Sequence, residues 1–113
     1  MERLRFRTGK GIDVKMIPSF GQIACDYNHI YRTFGKPNFS VDAGDEFDGV
    51  EKCAWHIQFE NGEVVRITDV REFGSKIDDY VECKRWNVNT LSRDAYEQVI
   101  SAIRHHNPQM IGV

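Results

Sequence analysis

The segment WHIQFENGEVVRI, residues 55–67, decides the fold, because apolar and polar side chains alternate along it on both sides of an Asn-Gly pair. Side chains of an extended chain point alternately to opposite faces, so this alternation is typical of half-buried strands. One face of the first strand carries Cys53, Trp55, Ile57 and Phe59. The segment therefore predicts two antiparallel strands that share one apolar face and meet at a tight turn.

The length of the turn fixes which side chains lie opposite each other. A two-residue turn at Asn61-Gly62 would place Ile57 opposite Arg66, so an apolar face would meet a polar one. A three-residue loop, Glu60-Asn61-Gly62, with Gly62 in the left-handed bulge position, avoids this conflict. The cross-strand pairs that it predicts are Ile57 with Val65 and Trp55 with Ile67.

A third strand follows in VECKRWNVNT, residues 81–90, where Trp86 and Val88 fall on one face. It extends the sheet into an antiparallel meander over residues 51–90. Two of its three strands then carry a tryptophan, and we expect both indole rings in the core.

A helix over residues 92–106 completes the C-terminal half. Ser92 is a candidate N-cap, and Asp94 lies where the helix dipole favours a negative charge. Asn107-Pro108 ends the helix. Its apolar stripe consists of Ala95, Val99, Ala102 and Ile103.

The N-terminal third predicts a β-hairpin over residues 1–17 and a helix over residues 19–34. RLRFR and IDVKMI both alternate, with TGKG as the turn between them. Ser19 is the candidate cap of the helix, and Gly35 and Pro37 end it. The helical stripe would contain Phe20, Ile23, Ala24, Tyr27, Ile30, Tyr31 and Phe34.

These elements predict a single α+β domain over residues 1–113, built as a two-layer sandwich. Both amphipathic helices need an apolar surface, and one face of the antiparallel sheet supplies it. With 41% apolar and 28% charged residues the chain is of ordinary globular composition, and no apolar run approaches the ~20 residues of a membrane span. The start lacks an apolar signal core, so we expect a cytosolic protein that does not act at a membrane.

Five acids and no base occupy residues 41–51. A solvated loop is the ordinary explanation of such a cluster, and its spacing lacks the order of a calcium loop. The functional interpretation is a negative surface that docks on a basic, nucleic-acid-binding partner. The candidate partner-binding residues are Asp42, Asp45, Glu46, Asp48 and Glu51.

Arg3, Arg5 and Arg7 share one side of the first strand. Guanidinium groups match phosphate geometrically, so this row is an alternative phosphate-binding site, although a row of charge more often protects a sheet edge. An edge strand left exposed would also let two copies pair as a homodimer by continuing the sheet.

The sequence points to no catalytic residues, metal site or cofactor. His29, His56, His105 and His106 have no carboxylate placed beside them by local spacing, so we expect surface or capping roles. No serine lies in a nucleophile elbow. The three cysteines, Cys25, Cys53 and Cys83, lack the spacing of a zinc site or a disulfide framework, and we expect small, buried, reduced side chains.

Three motifs occur in the same order in this chain and in a group of known proteins. FGKPN, WHIQFENGEVVRITD and RWNVNTLSRDAYEQVI resemble a pattern of small proteins from bacteriophages and other mobile elements: FG-x-P, then W-x-I-x-F-x-N-G followed by I-x-D, then W-x-V and a final helix. The likeness spans residues 34–103. Such proteins often block host machinery, so the resemblance implies a non-enzymatic, anti-CRISPR-like inhibitor that binds a host protein or ribonucleoprotein complex.

Two other functions stay open at this point. One is a nucleotide or nucleic-acid binding protein that uses the three N-terminal arginines together with aromatic side chains such as Tyr27 or Tyr31. The other is an immunity protein that neutralises a toxin by the same docking mechanism as an inhibitor.

Overall fold

The computed structural model describes residues 3–9, 11–40, 52–70 and 80–109. Among these residues, no helix is long and apolar enough to cross a membrane. The elements are β1 (Phe6–Thr8), β2 (Ser19–Ala24), α1 (Tyr27–Phe34), β3 (Phe39–Ser40), β4 (Cys53–Phe59), β5 (Val64–Asp69), a 3₁₀ turn (Tyr80–Glu82), β6 (Arg85–Asn89) and α2 (Arg93–His106).

The six strands form one antiparallel sheet in the order β1-β4-β5-β6-β2. The short strand β3 also pairs with β4, next to its N-terminal end, whereas β1 pairs with its C-terminal end. The described edges are therefore β1 and β3 on one side and β2 on the other. The predicted meander of β4, β5 and β6 is confirmed.

The hairpin of β4 and β5 has the predicted register. Trp55 lies opposite Ile67 and Ile57 lies opposite Val65. Gly62 has a φ of 91°, the left-handed conformation that glycine adopts without steric cost, and its N–H donates to the Phe59 carbonyl at 2.9 Å. The three-residue bulged turn is therefore confirmed.

The core fills the space between one face of the sheet and both helices, which confirms a two-layer α+β fold. Trp55 and Trp86 are fully buried, with their rings in edge contact at 5.4 Å between centroids. Each indole N–H has a backbone acceptor: Trp55 donates to the Gly35 carbonyl at 2.9 Å and Trp86 to the Cys25 carbonyl at 3.0 Å. Both tryptophans are thus core residues, as predicted.

Helix α2 also matches its prediction. Ser92 is the N-cap, and its hydroxyl oxygen accepts from the Ala95 N–H at 3.3 Å. The predicted stripe of Ala95, Val99, Ala102 and Ile103 is buried. Local signals suffice here because the cap and the stripe both lie within the helix.

The predicted N-terminal hairpin over residues 1–17 is wrong. β1 pairs with β4, with Phe6 opposite Phe59, and residues 11–18 contain no strand. Met16, expected on the apolar face of a second strand, is 99% exposed and has a φ of 62°. β4 is the better partner, because pairing with it packs Leu4 and Phe6 against the main core.

The predicted helix over residues 19–34 is correct only in its second half. α1 begins at Tyr27 with Asp26 as its N-cap, so Ser19 is not a cap. Residues 19–24 instead form β2, in which Ile23 lies opposite Trp86 of β6. Phe20, counted in the helical stripe, is 42% exposed. Pairing with β6 satisfies one side of the backbone of this segment and buries Ile23.

Candidate functional site

The five candidate partner-binding acids, Asp42, Asp45, Glu46, Asp48 and Glu51, lie outside the described residues. The residues on either side of their segment are described, and they are held together. Ser40, the last residue of β3, lies opposite Cys53, the first residue of β4. The segment of residues 41–51 therefore starts and ends at neighbouring points on one edge of the sheet.

A buried carboxylate fastens the second of these ends. Asp69 at the end of β5 is 3% exposed, and its Oδ1 accepts from the Lys52 N–H at 2.9 Å and from the Cys53 N–H at 3.0 Å. Two successive backbone N–H groups therefore donate to one oxygen atom. Asp69 thus anchors the chain where residues 41–51 rejoin the sheet, a role that the sequence did not reveal.

Asn38 fastens the other end. Its side-chain oxygen accepts from the His56 N–H at 2.7 Å, and its backbone N–H donates to the Ala54 carbonyl at 2.8 Å. Gly35, nearby in the chain, has a φ of 82° and accepts from the Trp55 indole. The FGKPN and W-x-I…I-x-D motifs therefore meet in space, around the edge from which residues 41–51 depart.

Comparison with protein-family models, curated proteins and solved structures gives no match. The resemblance to small phage proteins therefore stays a prediction. Hydrogen bonds within the fold give a structural reason for four residues of these motifs: Gly35, Asn38, Trp55 and Asp69.

The second candidate site, the arginine row, is exposed as predicted. Arg3, Arg5 and Arg7 all lie on the surface, while Leu4 and Phe6 between them face the core. Arg5 and Arg7 also line a cleft of about 410 Å³ between β1 and the β4–β5 turn. The other polar side chains that line this cleft are Gln58 and Glu60.

The four histidines do not converge on one site, although the rings of the sequence neighbours His105 and His106 are 5.1 Å apart between centroids. His29 Nδ1 accepts from the Asp26 N–H at 3.0 Å, so it serves in the cap of α1. His56 is half-buried, and burial, aided by the nearby Arg66, lowers its pKa. At the end of α2, desolvation and the charges of Arg3 and His106 lower the pKa of His105. In the described part of the chain, no three His, Cys, Asp or Glu side chains form a group that could hold a metal ion.

The three cysteines are free, and all three are buried, as predicted. Burial, with smaller effects from Asp26 and Cys83, raises the pKa of Cys25 to about 12. Burial also raises the pKa of Cys53. Both thiols are protonated at neutral pH, and a thiol is a poor nucleophile compared with a thiolate.

The two tyrosines considered for nucleotide stacking differ in their surroundings. Tyr31 is 40% exposed. Tyr27 is half-buried and packs against other aromatic rings at centroid distances of 5.5 to 6.4 Å, so it belongs to the core and not to a binding platform. Its neighbours are Tyr31, Trp55, Tyr80 and Trp86.

Helix α2 contacts the backbone of both sheet edges, which the sequence did not indicate. Gln98 accepts from the Leu4 N–H, next to β1, at 3.0 Å. Tyr96 donates its hydroxyl to the Gln22 carbonyl of β2 at 2.9 Å. The ring of Tyr96 lies so close to Gly21 that a Cβ there would be 3.2 Å from its Cε2.

Proposed function

We propose that this protein is a non-enzymatic interaction module that inhibits a bacterial defence system, such as a CRISPR nuclease complex. Docking would use the acidic segment of residues 41–51. The observation that carries the proposal is the fastening of both ends of this segment, by Ser40 pairing with Cys53 and by the Asp69 carboxylate. Binding loops commonly sit on a rigid scaffold of this kind, because a fixed base limits the entropy lost on binding.

The charge of the segment indicates the chemistry of the partner. Its five acids carry more negative charge than the net charge of −2 of the whole chain, and no basic residue lies among them. Like charges this close in sequence repel each other, so Lys and Arg side chains of a partner would relieve that repulsion. Nucleases of defence systems carry basic surfaces for the phosphate backbone, and an acidic segment can compete for such a surface.

The test expresses this protein in bacterial strains that each carry one nuclease-based defence system, and measures phage plaquing. We expect plaquing to be restored against at least one system. Replacing Asp45, Glu46 and Asp48 together with serine should abolish this effect while leaving the urea unfolding curve unchanged, because these residues lie between the fastened ends and outside the described core.

A matched control replaces three acids elsewhere on the surface, Glu82, Asp94 and Glu97, with serine. It changes the net charge by the same amount and should inhibit as the parent protein does. The proposal fails if no defence system is inhibited, or if the control loses as much inhibition as the first variant. Affinity for the purified target should also fall as salt is added, and affinity independent of salt would contradict the electrostatic mechanism.

A further inference from the structure

The cleft between β1 and the β4–β5 turn lies at the opposite end of β4 from Cys53, the residue that pairs with Ser40. Arg7 lies directly across from Gln58 in the strand register, and Arg5 and Gly62 line the same cleft. The proposed inhibitory function does not use this cleft. Charged side chains that only protect a sheet edge do not need a fixed orientation. Arg7 in this cleft has one.

Arg7 is held in one orientation. Its Nε and Nη2 atoms both donate to Gln58 Oε1, at 3.0 and 2.5 Å, and Gln58 Nε2 in turn points to the Gly62 carbonyl at 3.5 Å. The Nη1 side of the guanidinium keeps its N–H groups for a ligand. A fixed guanidinium loses little entropy when it binds, so a hydrogen-bonded arginine of this kind binds an anion better than a mobile one.

Arg5 provides a second cation on the same side of the strand. Residues two apart in a strand are separated by about 7 Å, so the two side chains can reach one ligand group or two adjacent groups. Arg5 is exposed, and its guanidinium has no side-chain partner among the described residues. At this spacing, each of the two guanidinium groups can donate hydrogen bonds to the oxygen atoms of a phosphate group.

Glu60 is the one carboxylate among the side chains that line the cleft. Its Oε1 accepts from the backbone N–H of Arg5 at 3.2 Å, which holds the carboxylate against the strand. Among the described residues, Glu60 forms no salt bridge with the guanidinium of Arg5 or Arg7. It weakens the positive potential of the cleft without removing it. Replacing this charge is therefore a way to strengthen any anion binding.

Phe6, which lies between the two arginines in sequence, points to the other face of the strand, where its ring contacts Phe34 at 4.8 Å and Phe59 at 6.3 Å between centroids. These core contacts fix the strand that carries both arginines. Two cations about 7 Å apart on one strand face can bind successive phosphate groups of one ligand. We propose that Arg5 and Arg7 bind the phosphate groups of a nucleotide ligand.

Fluorescence anisotropy of a labelled single-stranded oligonucleotide, measured at several salt concentrations, tests this inference. We expect saturable binding at low salt. The double variant Arg5→Gln, Arg7→Gln should bind at least about tenfold more weakly, since it lacks two charge-assisted hydrogen bonds to the ligand. The slope of log affinity against log salt should fall by about 0.7 for each phosphate that is no longer neutralised. Glu60→Gln, which keeps an acceptor for the Arg5 N–H, should bind more tightly.

The control is the double variant Arg93→Gln, Arg104→Gln on α2, which removes the same charge away from the cleft. It should change the affinity by less than about twofold, because distant surface charges are screened. A mononucleotide and a cyclic dinucleotide are added as unlabelled competitors. Competition by either identifies a free nucleotide as the ligand, and competition by the oligonucleotide alone identifies the phosphodiester chain.

Two results would overturn the inference. One is the absence of binding by all of these ligands at low salt. The other is an equal loss of affinity in the cleft variant and the α2 control, which would reduce the effect to net charge. Neither result bears on inhibition of a defence system, because that inhibition is measured separately by phage plaquing with the triple serine variant, in which Arg5 and Arg7 are unchanged.

Discussion

The two edges of the sheet protect their backbone in different ways. The β1 edge carries Arg3, Arg5 and Arg7 on its surface, and the N–H of Leu4 beside it is bound by the buried amide of Gln98. β2, residues Ser19–Ala24, has no charged residue. The ring of Tyr96 covers it instead and its hydroxyl binds an edge carbonyl.

Unpaired edge strands invite other strands to add, and charge is the common defence. The comparison shows that an aromatic side chain from a helix can replace charge at β2. Tyr96 and Gln98 are two positions apart on α2, so they point about 200° away from each other and reach opposite edges. One helix therefore covers the core and also protects both edges of the sheet.

The largest effect is expected at the β1 edge. Gln98→Leu keeps the volume but leaves the Leu4 N–H without its acceptor, which should lower the free energy of unfolding by about 2 kcal/mol. Urea unfolding measures the loss, and hydrogen exchange should locate it at Leu4. Gln22→Leu, at an exposed amide that binds Asn87, is the control and should change stability by less than about 0.5 kcal/mol. Equal losses in the two variants would refute the role of Gln98.

At the β2 edge, Gly21→Ala should lower stability by about 1.5 kcal/mol, because the new Cβ would meet the Tyr96 ring at 3.2 Å. This cost should vanish when Tyr96 is already alanine, which a double-mutant cycle measures. Gly11→Ala is the control, since no atom lies within 4 Å of its added Cβ. A cost of Gly21→Ala that persists without Tyr96 would mean that the ring is not the obstacle.

Tyr96→Phe should have a smaller effect on stability, about 0.5–1 kcal/mol, because it removes one exposed hydrogen bond. It should also increase self-association, since the Gln22 carbonyl becomes available for pairing with a second copy. Sedimentation velocity over a range of concentrations measures this. Tyr31→Phe, which removes an exposed hydroxyl on α1, should sediment like the parent protein. Identical sedimentation of all three proteins would contradict the idea that Tyr96 guards this edge.

The smallest effect concerns the end of β2, where Lys84 and Asp26 form a salt bridge at 2.7 Å. The hydrogen bond from Lys84, together with its charge, lowers the pKa of Asp26. A lowered pKa in the folded state stabilises the fold above the unfolded value of about 3.9, and this contribution is lost as pH falls through the folded pKa. Asp26→Asn retains a side chain that can cap the helix but does not titrate. The free energy of unfolding, measured by urea unfolding at several acidic pH values, should therefore fall less steeply with decreasing pH in this variant. An identical pH dependence in both proteins would show that the pair contributes nothing.

The sequence predicted the parts of the fold whose determinants are close together in the chain. Gly62 and the alternation around it fixed the register of β4 and β5, and Ser92 with its stripe fixed α2. Alternation also predicted the exposure of the arginine row. In each case the competing structures differ in local energy, so local residues distinguish them.

Tertiary structure decided the remainder. Ile23 fits a helical stripe and a strand equally well, and only Trp86 on β6 makes it a strand residue. The partner of β1 and the contact of Arg7 with Gln58, which is 51 positions away, depend on the same kind of distant pairing. A local pattern states which face a side chain prefers, whereas the burial and hydrogen bonds that select its partner come from residues far along the chain. The cleft lined by Arg5 and Arg7 and the contacts of α2 with both edges therefore exist only in the folded protein.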